Sequence, residues 1–376
     1  MWDWRTYFIF GFALIWGVVL LKEFSRKPKK WVLAFIALLP LFFLHAFRAE
    51  TVGTDLPNYA LHVEDGGWFL NNYSGLPLEI LSQLLFSLSH QWGGFHTFLF
   101  LSSFLEYIFL FIAIQELNKR HVGLGITLVV MVSFVVLRSV SMVRNGIALS
   151  VALCAVTQLL DCEKKSVWKY WMFSLIALGF HNSAILMVPV YFICSPMDSS
   201  SPRYKLSITL RITAMAVMFV LLYFIGSSGI LDLFFRVMGE TYNDSHFEAR
   251  QSWGIGNLAV RMPFLLLVIL SIPQMRKRGF NYLPLLLMLI FDVLISQTKY
   301  ISQDFERLTM YTGLSEVVLW GVLYNTYAWR KGSAVRELFI LVGIGYFSYY
   351  MHKYAFLGGD GVGNGLMPYH TWFNFL

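Results

Sequence analysis

The chain has 376 residues, 57% of them hydrophobic and only 14% charged. That balance excludes an ordinary soluble domain and describes a protein threaded repeatedly through a bilayer. A net charge of +7 does not signal a nucleic-acid surface, because the basic residues are spread over loops between apolar runs; the lipid bilayer is the expected partner and nucleic acid is not. Cys154, Cys162 and Cys194 lie in or beside apolar runs without metal-ligand spacing and read as packing residues.

Apolar runs of crossing length, about 20 residues or slightly fewer, lie near 5 to 22, 31 to 47, 97 to 116, 121 to 138, 143 to 160, 207 to 226, 257 to 273, 281 to 297, 310 to 328 and 336 to 352. They predict an all-α, polytopic integral membrane protein, one transmembrane unit over 1–376 with about ten full spans. No small-residue cleavage site follows the first run, which is expected to stay as a helix. Two stretches fit less well. Leu76 to Ser89 is short and carries Glu79, and Trp168 to Ile193 is interrupted by Gly179-Phe-His-Asn-Ser183; both read as re-entrant or broken helices.

Basic loops set the orientation. With Lys22 to Lys30 in the cytoplasm, Lys119-Arg120, Lys164/Lys165/Lys169, Arg276-Lys-Arg278 and Arg330 to Arg336 join it, provided that 76–89 does not cross and that 168–194 enters and returns. The segments 48–96 and 227–256 then become outer-face loops and 353–376 an outer-face tail. This sorting leaves Arg48, Arg138, Arg144, Arg236, Arg250, Arg261, Lys299 and Arg307 at outer helix ends, against the charge bias, and nearly all are arginine. A planar, permanently charged guanidinium suits an anionic group near lipid better than an ammonium does. Local pairing, as of Arg250 with Glu248 or Arg307 with Glu306, is the alternative for several of them.

The outer-face run Arg48-Ala-Glu-Thr-Val-Gly-Thr-Asp-Leu-Pro-Asn-Tyr59 places Arg48 at headgroup level, with Gly53, Pro57 and Asn58 expected to break any helix and hold Asp55 and Tyr59 in a loop. Ser141 to Ser150 opens a helix whose amino end faces outward beside Arg144 and Asn145, and whose Gly146, Ala148, Ser150, Ala152 and Ala155 allow close packing. In Gly179-Phe-His-Asn-Ser-Ala184 the histidine sits at a chain reversal, with Asn182 and Ser183 as expected N-caps; His181 suits a general base or, charged, a diphosphate ligand. Arg307 begins a further helix from outside, with Tyr311 one turn later. Glu79, Arg138, Arg250 and Arg261 are secondary candidates. The glycine-rich 358–365 segment is not a phosphate loop and reads as a flexible, aromatic-ended flap, while His62, Glu64 and Asp65 lack metal-site spacing; no metal and no cofactor are expected.

Arg48 with Val52-Gly-Thr-Asp55 and Tyr59, Arg144-Asn-Gly-Ile-Ala148, His181-Asn-Ser-Ala184, Arg307 and Pro368-Tyr369 together resemble the EpsG-like family of Wzy-type polysaccharide polymerases, from 48 to 370. The family often has Gln where this chain has Asn145. The resemblance implies a GT-C-like membrane glycosyltransferase that joins undecaprenyl-diphosphate-linked oligosaccharides at the outer, periplasmic face of a bacterial inner membrane, with chain-length regulator and flippase proteins as further partners. Under it, Arg48, Arg144 and Arg307 grip diphosphate, Tyr59, Asn145 and Tyr311 line the substrate, and His181 or Asp55 assists proton transfer, without a metal and with inversion if there is one displacement. A flippase of lipid-linked sugars and a glycan ligase of the same chemistry are the competing readings. A flippase predicts paired broken helices in two related halves, and the chain shows no internal repeat.

Overall fold

The computed structural model describes residues 3–66, 79–161, 164–197, 202, 204–227, 256–297, 304–327, 334–355 and 366–372. Helices α1 (Trp4–Arg26) and α2 (Trp31–Ala46) form the first antiparallel pair. Asp3 caps α1, its carboxylate accepting from the amides of Arg5 and Thr6 at 3.2 and 3.3 Å. A Cβ at Gly17 would meet Leu128 and the Ala37 carbonyl, so the glycine sets the closeness of this pair. After the short α3 (Leu56–Glu64) come α4 (Ile80–Trp92) and the long α5 (Gly94–Lys119), then α6 (Leu124–Ser139), which contains a π-helical turn at Val132–Val136.

The centre of the molecule is α7 (Val143–Gln158), every residue of which is buried except Arg144. Its small side chains let α5 pack on one side and α8 (Lys164–Phe180) on another, as the sequence predicts. A Cβ at Gly146 would collide with Ser139, so the turn between α6 and α7 is as tight as glycine permits. The chain reverses at His181 into α9 (Asn182–Cys194), whose first turn is 3-10. Then follow α10 (Tyr204–Ser227), α11 (Gly256–Leu270), α12 (Ile272–Lys277), α13 (Leu283–Ile295), α14 (Asp304–Thr312), α15 (Leu314–Tyr327) and α16 (Ala334–Ala355). The span expected at 310–328 is thus divided at Gly313, where Phe134 of α6 occupies the space a Cβ would need.

The described residues are helical throughout the regular structure, with one isolated antiparallel bridge, Arg48 to Thr371. Among them α1, α5 and Tyr204–Leu221 are long and apolar enough to cross a bilayer, and α2, α6, α7, α9, Leu258–Leu270 and α13 are shorter apolar helices. The chain is a multi-pass membrane protein. At one end of α6 the Gly123 amide donates to Gly321 O at 3.0 Å, and Arg120 reaches Asp161 at 3.4 Å. The other end of α6 delivers Ser141 to Asp55.

Two local expectations are corrected. Asp55 lies as expected in the turn before α3, at its N-cap, but Gly53, Pro57 and Asn58 do not keep Tyr59 in a loop: Pro57 sits in the first turn of α3, where its missing N–H costs nothing, and Tyr59 is helical and 6% exposed. The tail residues Leu366 to Trp372 are no free flap, because Tyr369 is buried against Phe10 and donates its hydroxyl to Leu44 O at 2.6 Å. The glycine-rich 358–365 stretch and Arg250 lie outside the described residues, as does Arg236.

Candidate active site

Glu79 organises one end of the helix bundle. One carboxylate oxygen accepts from Arg144 Nη1 at 2.6 Å, and the other accepts from the Asn182 amide at 3.0 Å. The first bond ties the start of α4 to the start of α7, and the second ties it to the reversal after α8. Ser82, one turn further, donates to Phe180 O at 2.7 Å and reinforces the same junction. A lone carboxylate in an apolar run was the signal for Glu79, but its partners are distant in sequence.

Asp55 approaches from the other side. Gly53 has φ +123° and passes so close to Val140 that a Cβ would lie 2.5 Å from its carbonyl oxygen. That approach lets Ser141 Oγ accept from the Asp55 amide at 3.3 Å and hydrogen-bond to Thr54 Oγ1, while Thr54 also bonds Asp55 Oδ1 at 3.3 Å. Burial raises the Asp55 carboxyl, and the charges of Arg307 and Arg144 and the Thr54 bond hold it back. A carboxylate with a raised pKa is a stronger base, held beside two cations that favour its charged form.

His181 is 9% exposed and caps the 3-10 turn of α9 itself, its Nδ1 accepting from the Ser183 amide at 3.2 Å. Asn182 and Ser183 are therefore not the caps, and the Asn182 amide is not free for an anion because Glu79 takes it. Burial, with the charges of Arg144 and Arg307, pushes the imidazole down to about 3. A neutral ring whose Nδ1 accepts carries its proton on Nε2 and is set up to donate from there. Of the two candidate bases, this arrangement suits Asp55.

Arg144 points its guanidinium over the Tyr59 ring at 5.9 Å. Its buried Nε has no hydrogen-bond partner among the described residues, a donor that an anionic oxygen would satisfy. Arg307, half-buried on α14, acts electrostatically on both Asp55 and His181. Asp55, Glu79, Arg144, His181 and Arg307 thus come together from well-separated parts of the chain.

Other expected members of the site are placed elsewhere. Arg48 is not at headgroup level: it is 1% exposed, donates from Nη1 to His45 O at 2.6 Å, and is covered where Ala49 N pairs with His370 O at 2.8 Å. Its charge faces Glu106, which accepts from Ser139 Oγ at 2.7 Å and lies 3.6 Å from His45 Nδ1. Asn145 and Tyr311 satisfy each other instead of lining an open cleft, the tyrosine hydroxyl donating to Asn145 Oδ1 at 2.9 Å with both residues buried. Arg138 lies over Phe134, its guanidinium carbon 4.6 Å from the ring centre, and Arg261 Nε pairs with Asp292 at 2.7 Å, both away from Glu79 in a separate cavity.

The EpsG family pattern matches residues 31–371. The chain belongs to the EpsG family. The match runs from α2 to Thr371 of the tail, so it includes every member of the Glu79 cluster and the tail that covers Arg48. No curated protein and no solved structure matches this EpsG chain. EpsG proteins are associated with exopolysaccharide synthesis, which directs the reading of the cluster toward sugars carried on lipid.

Proposed function

We propose that this EpsG-family protein is a polysaccharide polymerase of the outer membrane face, joining lipid-diphosphate-linked oligosaccharides, and that the Glu79 cluster is its transfer site. The observation that supports the reading is the meeting of Asp55, Glu79, Arg144, His181 and Arg307 at the outer ends of apolar helices, where ionisable groups are costly unless used. In the reaction an acceptor hydroxyl loses its proton to Asp55 as its oxygen bonds to the anomeric carbon. The bond from that carbon to the lipid diphosphate breaks on the opposite face, so the configuration inverts. Arg144 and Arg307 neutralise the charge that gathers on the diphosphate, and the Nε2–H of His181 donates to one of its oxygens. Glu79 is a positioning residue that aims Arg144 and the 181–183 turn. Burial of Arg48 gives it a different part here: it anchors the tail through its bridge to Thr371.

The test is reconstitution of the purified protein in vesicles with undecaprenyl-diphosphate oligosaccharide from its own host. Lengthened glycan is expected in the wild type, with a loss of about 10³-fold or more in Asp55→Asn, the scale on which removal of a general base acts. Repeat units that change leaflet without lengthening would make the protein a flippase. Transfer of a finished glycan to a different lipid would make it a ligase.

A further inference from the structure

A cavity of about 470 Å³ lies between α11 and α16, backed by α6, α13 and α15, and the cluster around Glu79 does not use it. Its volume is that of an ordinary small-ligand site. Arg138, Arg261, Asp292 and Glu316 line it from four different helices, and each is set within an otherwise apolar helix, where an ionisable side chain is functional by default. They are held in fixed geometry. Arg261 Nε and Thr312 Oγ1 each donate to one oxygen of Asp292 at 2.7 Å, and Glu316 accepts from Trp320 Nε1 at 3.2 Å. The π-helical turn at Val132–Val136 sets the register by which α6 presents Arg138 here.

The chemistry of the lining selects a ligand class. Two guanidiniums stand against two carboxylates, so the wall offers no surplus of either charge. An anion would meet the carboxylates and a cation the guanidiniums. A neutral ring bearing several hydroxyls, each able to donate and accept, matches alternating donors and acceptors, and Tyr346, Tyr349 and Tyr350 add aromatic faces and edges. The mouth is lateral. Val260 and Tyr349 are 72% and 58% exposed, on helix faces that otherwise expose Leu266, Leu270, Leu341 and Ile344, so entry is from the membrane side and the ring arrives on a lipid.

Two elements link the cavity to the proposed transfer site. Arg138 precedes Arg144 by little more than the tight turn at Ser141, and Thr312, which holds Asp292, lies on the same short helix as Arg307. We infer that the α11–α16 cavity binds a neutral, hydroxyl-rich sugar ring carried on a membrane lipid, and that, resting on the transferase reading above, it is the acceptor side of the reaction.

The test uses full-length protein in nanodiscs and a dodecyl maltoside carrying a diazirine on its sugar. Saturable labelling of peptides from α11 and α16 is expected, competed by excess dodecyl maltoside but not by dodecyl phosphate or by a dodecyl polyoxyethylene ether. Glu316→Gln should weaken labelling about tenfold, the effect of one lost charge-assisted hydrogen bond, whereas Arg144→Ala should leave it unchanged. Tyr349→Ala, at the exposed mouth, serves as the second variant if Glu316→Gln fails to fold. Competition by dodecyl phosphate would overturn the assignment in favour of an anion site, and unsaturable labelling on all lipid-facing helices would show no site. Labelling without any glycan extension would sink the transferase reading and the acceptor role while leaving the sugar site; extension without labelling would sink the site alone.

Discussion

Removing Glu79 tests the architecture of the cluster most directly. Its carboxylate and the Arg144 guanidinium meet at 2.6 Å, with side chains 6% and 20% exposed. At 2.6 Å and an effective dielectric of about 20 the Coulomb attraction is about 6 kcal/mol, most of it offset by desolvation of both groups. Stripping one partner from a fully buried pair costs about 3–5 kcal/mol. Arg144 keeps 20% of its side chain in contact with solvent, which screens the charge left behind and lowers the expected cost of Glu79→Ala to about 2–3 kcal/mol. Glu79→Gln retains an acceptor for the Asn182 amide and should cost about 1–2 kcal/mol. A double-mutant cycle of Glu79→Gln with Arg144→Gln, followed by SDS titration in mixed micelles, should show a coupling of about 1.5 kcal/mol. In the extension assay Glu79→Gln should lower turnover about 10²-fold, since a misplacement of about 1 Å at Arg144 and His181 has that effect. Additivity within about 0.5 kcal/mol, or full turnover in Glu79→Gln, would refute the role given to this carboxylate.

Two further outcomes are expected. Gly53→Ala should cost about 2 kcal/mol, because it combines a φ of +123° with a Cβ 2.5 Å from Val140 O, and it should abolish extension by pulling Asp55 from Ser141; Gly94→Ala, with φ +73° but open space around it, should lower the melting temperature less and leave extension intact. His181, pushed down to about 3 in the fold from an ordinary value of about 6.5, makes the unfolded chain the stronger proton acceptor between those values. Its contribution to stability is therefore complete above about pH 6.5 and declines as the pH falls toward about 3. Melting temperatures recorded from pH 7.5 down to 4.5, as order-of-magnitude brackets of that window, should converge for wild type and His181→Asn at the acidic end; parallel curves would contradict the neutral histidine.

Composition and the spacing of apolar runs were enough for an all-helical membrane protein, because burial in lipid demands long apolar helices whatever they pack against. The small residues of α7 announced close packing by its neighbours. Arg144 and Arg307 stood out as arginines at the ends of apolar runs against the charge bias, His181 as the break in an apolar run, and Asp55 as part of the turn-forming run after Arg48. What these residues touch was not legible. Whether Arg48 meets water or Glu106 depends on a tail more than 300 residues later folding back through Ala49 and His370, and whether Asn145 meets substrate or Tyr311 depends on how α14 docks on α7. The α11–α16 cavity is the extreme case, since its Arg261–Asp292 pair joins two different helices, although Arg138 over Phe134 and Glu316 with Trp320 are contacts within one helix. Local signals fix which segments enter the membrane and which residues cannot comfortably stay there; only the packing of distant helices decides whether such a residue is buried against a partner or left facing a ligand.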